Sequence, residues 1–286
     1  MLLLLPPSET KRDSPLSGDR GIVGDRGIPG DPGILGDRGI SGDPGADGSA
    51  LDLTRLGFPG LTPPRRAALA ALRRLSSNRS TMASALKLGP SQQFEIDRNR
   101  AVRTAATMPA LELYTGVLYD ALEVQSLDVA ARAFADSHIV IHSALFGLLR
   151  GSDPVPAYRL SHDSRLPELP LKKHWRGPIS AALAAHDGLI LDLRSEAYVD
   201  LGPAPEAAPF LRVVAEGADG RRRALNHFNK KGKGEFARAV VEAGIEHPDV
   251  DSLLAWAADS GVRLSRGAPG ELELVVPEVV AARRSA

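Results

Sequence analysis

The first eleven residues, MLLLLPPSETK (residues 1–11), predict how the fold begins. The apolar part of this stretch is far shorter than the ~20 apolar residues that a membrane span needs. It also lacks the basic segment and the small-residue cleavage site that mark an export signal. The stretch therefore predicts a buried first strand, and the polar SETK that follows it marks the exit of that strand.

Two further apolar runs, HIVIH (residues 138–142) and LILDL (residues 189–193), also predict buried strands, because β-branched residues favour a strand packed on both faces. Further strands are predicted at 210–214, 223–227, 261–264 and 271–276.

Helices are predicted where apolar residues recur three and four apart, as in RRAALAALRRL after Pro63 and Pro64. Helices and strands follow one another without strict alternation. The sequence therefore predicts an α+β (mixed α/β) fold, in which a mixed β-sheet is flanked by helices. Further helices are predicted at 80–86, 91–100, 128–135, 172–185, 234–243 and 250–257.

Composition limits the possible functions. Of the 286 residues, 43% are hydrophobic and 24% are charged, as in an ordinary globular protein. The chain carries 35 basic and 35 acidic residues, so any basic patch must be local. It has no cysteine, which excludes disulfides, a catalytic thiolate and a thiol redox sensor. We expect a cytoplasmic protein that does not enter a membrane.

A glycine repeat interrupts the chain near its start. Glycine occupies every third position from Gly18 to Gly48, and six aspartates outnumber three arginines in this stretch. One interpretation is a collagen-like segment that trimerises, and the other is a flexible insertion. The repeat contains few prolines, which favours the insertion. We therefore predict a single domain over residues 1–286, interrupted by a disordered collagen-like insertion over residues 18–50.

Polar residues follow three of the predicted strands, at Ser8–Lys11, after His142 and after Leu193. Open sheets commonly bind ligands beyond the carboxyl ends of their strands, so these three exits are candidates for one pocket. The alternative is that these residues only cap helices and turn the chain.

The most basic stretch is DGRRRALNHFNKKGKGEFAR, which begins at Asp219 and contains seven basic residues against two acidic ones. It is either a solvated surface or a site for phosphate or nucleic acid. Because Lys230 to Gly234 leads into a predicted helix, its glycines favour close approach of an anion to the amides at the helix start. The spacing is not that of a Walker A motif.

The histidines do not predict a metal site. On a strand, His138 and His142 would lie roughly 13 Å apart, too far to share one ion. His162 and Asp163 form a pair that no further ligand completes. We expect no tightly bound metal and no cofactor.

Seven segments together resemble the YaaA family of peroxide stress proteins along nearly the whole chain apart from the glycine repeat. They are LLLLPPSETK at the start, YTGVLYDAL from Tyr114, HSALFGLLRGSDPVPAYRL from His142, KKHWRGPI, LRSEAY from Leu193, NHFNKKGKGEFAR from Asn226, and GELELV near the end.

The resemblance implies a curved mixed sheet wrapped by helices around a basic cleft. It also implies a protein that lowers free intracellular iron and binds DNA, with a helix-hairpin-helix element attributed to the family. The family's other polar positions fall on Tyr114, Gly116, Ser143 and Gly147. The positions that we expect to bind an anion or nucleic acid are Lys11, Arg150, Tyr158, Arg159, Ser195, Tyr198, Lys230, Lys231, Lys233 and Gly234.

Three details remain open at this point. Leu86–Ser91, between two predicted helices, fits a hairpin loosely or is an ordinary turn. Ala197 replaces the family's usual acid, and Lys233 replaces its usual arginine, so that the bidentate fork of an arginine is lost.

The alternative function is an enzyme acting on a phosphate-bearing or other anionic small molecule in the same cleft. Glu9, Glu196 and Tyr198 are the candidate acid and base groups for it. We expect a monomer.

Overall fold

The computed structural model describes residues 1–12, 49–216, 222–224 and 229–277. The strands are β1 (Leu2–Leu5), β2 (Met108–Pro109), β3 (Ile139–Ser143), β4 (Gly147–Arg150), β5 (Pro154–Val155), β6 (Ile190–Asp192), β7 (Phe210–Glu216), β8 (Arg222–Ala224), β9 (Leu264–Arg266) and β10 (Glu271–Pro277). The helices are α1 (Thr62–Ser76), α2 (Arg79–Ala85), α3 (Phe94–Arg100), α4 (Ala110–Leu113), α5 (Val117–Leu122), α6 (Val129–His138), α7 (Leu171–Ala184), α8 (Glu196–Leu201), α9 (Asn229–Ala243) and α10 (Val250–Asp259).

One large sheet forms the centre of the molecule, with the strand order β4-β3-β1-β6-β7-β10-β9 and with β8 paired to β7. The inner strands β3, β1, β6, β7 and β10 run parallel to one another, whereas β4 and β9 are antiparallel to their neighbours. A mixed sheet flanked by helices was predicted from the sequence, and the structure confirms it.

The first strand lies in the middle of this sheet. Leu3 pairs with Ile139 of β3 on one side and with Leu191 of β6 on the other. All four leucines of β1 are buried. An apolar run without alternation suits this position because both faces of the strand are covered. The opening residues therefore form the buried strand that they predict.

The helices begin at residues that the sequence marks. Pro63 and Pro64 lie in the first turn of α1, where the missing amide hydrogen costs nothing. The amide of Ala131 donates a 2.8 Å hydrogen bond to Asp128 Oδ1, which caps α6. The predicted helices at these two places are confirmed, as is α7 between β3 and β6.

Several boundaries differ from prediction for local reasons. His138 ends α6 instead of opening β3, and its ring contacts the carbonyl of Phe134 one turn earlier. The strand predicted at 261–264 starts only at Leu264, because Gly261 (φ 71°) ends α10 and the amide of Val262 bonds the Ala257 carbonyl. Helix α9 begins at Asn229, five residues before the predicted Gly234.

The glycine repeat, residues 18–48, lies outside the described residues, whereas positions 49 and 50 of the predicted 18–50 insertion are described. Arg12 and Ser49 both bond to the segment between α3 and α5. The amide of Arg12 bonds the Leu113 carbonyl (2.9 Å), and the amide of Thr107 bonds the Ser49 carbonyl (3.0 Å). None of the helices in the described ranges is long and apolar enough to cross a membrane.

Candidate anion-binding cleft

A cavity of about 570 Å³ opens beyond the carboxyl ends of β1 and β6. This is the edge at which open sheets with parallel strands commonly bind ligands. Its lining combines five serine and threonine side chains with two lysines: Ser8, Thr10, Thr115, Ser161, Ser195, Lys230 and Lys233. Glu9, His162, Tyr198 and Asn229 also line it.

The wall at the exit of β1 is held by contacts to the segment before α5. Lys11 forms a backbone bridge with Tyr114, and the amide of Thr115 bonds the Thr10 carbonyl at 3.2 Å. Gly116 has φ 99°, and a Cβ atom there would lie 3.2 Å from Ser8 Oγ. A residue without a side chain is therefore favoured where this wall turns into α5.

An ion pair lies at the lip of this wall. Arg159 Nη2 donates to Glu9 Oε2 at 2.7 Å. Asn99, fully buried, fixes the backbone of Arg159 by bonding both its amide and its carbonyl at 2.8 Å. Glu9 thus supplies an internal carboxylate to the arginine that the sequence predicts to bind anions.

A chain of three hydroxyl groups runs behind the same wall. Tyr114 and Tyr158 share a hydrogen bond of 2.8 Å, and Tyr158 and Ser143 share one of 2.6 Å. Burial raises the pKa of Tyr158 to about 12, so its hydroxyl keeps its proton at neutral pH. This chain can hold a proton in place but does not line the cavity.

Lys11 lies against these tyrosines. Its Nζ is 4.4 Å from the centre of the Tyr158 ring and 5.2 Å from that of Tyr114. It donates hydrogen bonds to the carbonyls of Ser8 (2.9 Å) and Glu9 (3.4 Å). Burial, followed by the nearby Arg159 among the lowering influences, reduces the pKa of Lys11 to about 7.

The exit of β6 is built on a buried ion pair. Arg194 binds Asp192 through two hydrogen bonds, of 2.8 Å from Nε and 2.5 Å from Nη2. Its Nη1 donates to Nδ1 of His142 at 2.9 Å. Burial and the charge of Arg194 lower the pKa of His142 well below its usual value. His142 is therefore neutral, and its Nε2 has no hydrogen-bond partner in the described part of the chain.

Helix α9 also lines the cleft, and its lysines differ in exposure. Lys230 is exposed and Lys233 is 4% exposed, and both line the cavity. Lys231 is exposed and pairs with Glu235 at 3.3 Å. Burial lowers the pKa of Lys233 to about 8.

The glycines of the basic motif serve packing. A Cβ atom at Gly234 would lie 2.2 Å from the Leu118 carbonyl oxygen of α5, and one at Gly232 would lie 3.0 Å from Val276. Both residues are inside α9 and not ahead of it. They allow close contact of α9 with α5 and the sheet, so the predicted approach of an anion to these glycines is not what the geometry shows.

The predicted site residues fall into three groups. Ser195, Tyr198, Lys230 and Lys233 line the cavity. Lys11, Tyr158 and Arg159 lie behind its Ser8–Thr10 wall. Arg150, Lys231 and Gly234 are not brought to the cavity.

The position of Arg150 follows from a strand that the sequence analysis missed. Residues 147–150 form β4, which runs antiparallel to β3 and pairs Arg150 with Val140. Arg150 therefore lies toward the start of β3, away from the cleft, where its Nη1 bonds the Ser137 carbonyl at 3.0 Å.

The buried network that supports the exit of β6 was not predicted from the sequence. Asp192, Arg194 and His142 were treated as strand residues or as exits, but they form one buried network. The available signal was an aspartate inside an apolar strand with an arginine two residues later, since a buried charge needs a partner.

The α2–α3 turn contains the candidate hairpin. Lys87 has φ 54° and pairs with Asp163 at 2.6 Å. The Gly89 amide donates to Gln92 Oε1 at 3.0 Å.

Within the described ranges, no three His, Asp or Glu side chains come together in a way that could hold a metal ion.

Fold and site together define a mixed α/β protein with a polar cleft that holds two lysines at one edge of its sheet. The family model described as "Peroxide stress protein YaaA" matches residues 1–261. The chain belongs to this family of peroxide stress proteins.

Related chains are UPF0246 proteins. One from Corynebacterium glutamicum (strain R) is 37% identical over 270 residues, covering 92% of this chain and 94% of the relative. One from Streptomyces coelicolor is 37% identical over 243 residues, covering 81% and 94% respectively. One from Corynebacterium efficiens is 36% identical over 285 residues, covering 96% and 100%.

Proposed function

We propose that the cleft binds a phosphate-bearing ligand and that this binding underlies the role of the protein in the peroxide stress response. The observation that carries the proposal is Lys233, which lines the cavity while 4% exposed. No carboxylate oxygen of the described residues lies within 4.0 Å of its Nζ, so a ligand anion would supply the missing partner. The exposed Lys230 and the hydroxyl groups of five serines and threonines add donors around it.

We propose DNA, bound through its phosphate backbone by a monomer, as the macromolecular ligand. Support comes from Lys230, which is exposed and lines the cavity on the side of α9. Salt-dependent attraction between lysines and phosphates supplies most non-specific DNA affinity. The α2–α3 turn is a second proposed contact, as a helix-hairpin-helix element. To meet a phosphate there, the Gly89 amide would have to leave Gln92.

Two neighbouring lysines provide a matched test of DNA binding. Lys230 and Lys231 are both exposed, but only Lys230 lines the cavity. Lys230→Glu should weaken binding to duplex DNA about tenfold and reduce the salt slope by about one. Lys231→Glu should change both much less. Fluorescence anisotropy at several salt concentrations measures this, and equal effects of the two variants, or binding that ignores salt, would contradict the proposal.

The second candidate is an enzyme acting on a small anionic molecule, and the size of the cavity favours it. A volume of about 570 Å³ lies within the ~300–1,000 Å³ range of small-molecule sites. Of the candidate acid and base groups, Glu9 and Tyr198 line the cavity. Glu196 has a side chain that is 80% exposed and lies 3.7 Å from Arg212. Calorimetric titration with pyrophosphate and with duplex DNA distinguishes the candidates, because a small-molecule site binds pyrophosphate without DNA.

We also propose that the protein acts in the cytoplasm and lowers free intracellular iron there. The support is membership of the peroxide stress family. Cells lacking the gene, exposed to hydrogen peroxide, should contain more free iron by electron paramagnetic resonance. The wild-type gene should restore the low level and a Lys233→Met variant should not. If both genes restore the low level of free iron equally, iron lowering does not depend on Lys233 of the cleft.

A further inference from the structure

Lys233 has an environment that differs from that of the other basic residues at the cleft. Its Nζ donates one hydrogen bond, of 3.1 Å, to the carbonyl of Arg194, and lies 4.7 Å from the centre of the Phe210 ring. The buried acid of this region, Asp192, is already bound by Arg194 at 2.5 and 2.8 Å. A buried ammonium group without a carboxylate partner is costly.

The cost of that charge favours the neutral amine. Burial is the main cause that lowers the pKa of Lys233 to about 8, and Arg212 lowers it further against the opposing effects of Asp192 and Glu196. At pH 7 about a tenth of the molecules therefore carry an uncharged amine at this position. An uncharged lysine amine has a free lone pair and is a nucleophile toward carbonyl carbon.

Lys11 does not offer the same chemistry, although its pKa is also lowered, to about 7. Its Nζ is occupied by two backbone carbonyls and lies against two tyrosine rings. It is also absent from the cavity lining. Lys230 lines the cavity but is exposed. Lys233 alone of these three lysines combines burial with access to the cavity.

We propose that Lys233 forms a reversible imine with an aldehyde or ketone that carries a phosphate or carboxylate group. The inference rests on the proposed anion-binding function of the cleft, since Lys230 and the hydroxyl groups would hold the anionic part. The Nζ lone pair attacks the carbonyl carbon and a C–N bond forms. The carbonyl oxygen then leaves as water, taking both amine hydrogens, so that a C=N bond remains. No oxidant or reductant takes part.

Pyridoxal phosphate is a suitable probe because it is a phosphate-bearing aldehyde. The full chain is incubated with it, the imine is reduced with borohydride, and the modified peptides are located by mass spectrometry. Lys233 should carry about tenfold more adduct than the exposed Lys231 of the same helix, because its lowered pKa provides neutral amine beside the cavity. Pyrophosphate should suppress the adduct at Lys233 more than that at Lys231.

Lys233→Arg is the matched variant, because it keeps the positive charge but cannot form the imine. It should lose the adduct in that peptide, whereas the adduct at Lys231 should remain. Modification of Lys230 and Lys231 in preference to Lys233 in the wild type overturns the inference, and this result does not depend on the variant folding. Pyrophosphate binding without an adduct at Lys233 refutes the imine and leaves the proposed function standing. If the wild type binds neither pyrophosphate nor DNA, the proposed function itself fails.

Discussion

At the edge of the sheet where β1 and β3 begin, Glu246 contacts both the amino group of Met1 and the ring of His138. At the edge where β1 and β6 end, Asp192 is bound by Arg194, and Lys233 has no described carboxylate within 4.0 Å. The first edge provides the amino group of Met1 with an acid from the same chain. The second leaves a buried cation without one, which is the arrangement expected where a ligand supplies the anion.

Removing the acid at the cleft edge should produce the largest effect. Asp192→Asn leaves the buried Arg194 without its counter-ion and should lower the free energy of unfolding by about 3–5 kcal/mol, measured by urea denaturation. Asp200→Asn is the control, because Asp200 and its ion-pair partner Lys172 both have exposed side chains. If both variants unfold at the same urea concentration, the buried network does not support the cleft.

Packing of α9 should matter next. Gly234→Ala places a Cβ atom 2.2 Å from the Leu118 carbonyl and should cost about 1–3 kcal/mol through overpacking. Gly177 is also inside a helix, and apart from its chain neighbours nothing lies within 4 Å of an added Cβ. Pro178 follows it and disfavours a side chain at the preceding helical position, so Gly177→Ala should change the free energy of unfolding by only about 1 kcal/mol or less. Thermal unfolding of the two variants compares them, and destabilisation of equal size in both would contradict the packing role.

Lys233→Met tests the cost of the buried charge through pH. The folded-state pKa of Lys233 is lowered from 10.5 to about 8, so between these values the unfolded chain binds more protons. The stability of the wild type relative to the variant should therefore be lowest below pH 8 and should rise toward pH 10.5, by up to about 3 kcal/mol. Lys11 is present in both proteins and cancels in the difference. A difference that stays constant with pH would show that Lys233 is not desolvated.

The smallest effects are expected away from the cleft. Arg150→Ala should leave pyrophosphate affinity unchanged within about twofold, because Arg150 contacts the Ser137 carbonyl near the start of β3. A loss of pyrophosphate binding in Arg150→Ala would place the binding site away from α9.

Lys231→Ala removes an exposed ion pair with Glu235 and should change the free energy of unfolding by about 0.5 kcal/mol or less.

The central strands could be predicted because their signals are local. An uninterrupted apolar run such as MLLLL is typical of a strand covered on both faces, and β1 lies at the centre of the sheet. Helix starts were equally accessible where a cap or proline stands in the sequence, as at Asp128 and Pro63.

The roles of individual basic residues were not accessible in the same way. The run from Lys230 to Lys233 reads as one basic motif, yet its members divide according to which face of α9 each occupies. That division depends on where α9 begins and on its contact with α5, both of which are long-range properties. Arg150 was misplaced for a related reason, since residues 147–150 pair with β3 as β4 instead of leading away from it.

NMR of lysine-labelled protein, with and without pyrophosphate, measures the Lys233 pKa and shows most directly whether the cleft holds a desolvated lysine that an anion can pair with. Lys233→Arg assigns the resonance, and Lys231 serves as the internal reference. We predict a pKa of about 8 in the free protein and a rise when pyrophosphate binds, because a nearby anion favours the charged amine. A pKa in the usual lysine range that does not respond to pyrophosphate would contradict this prediction.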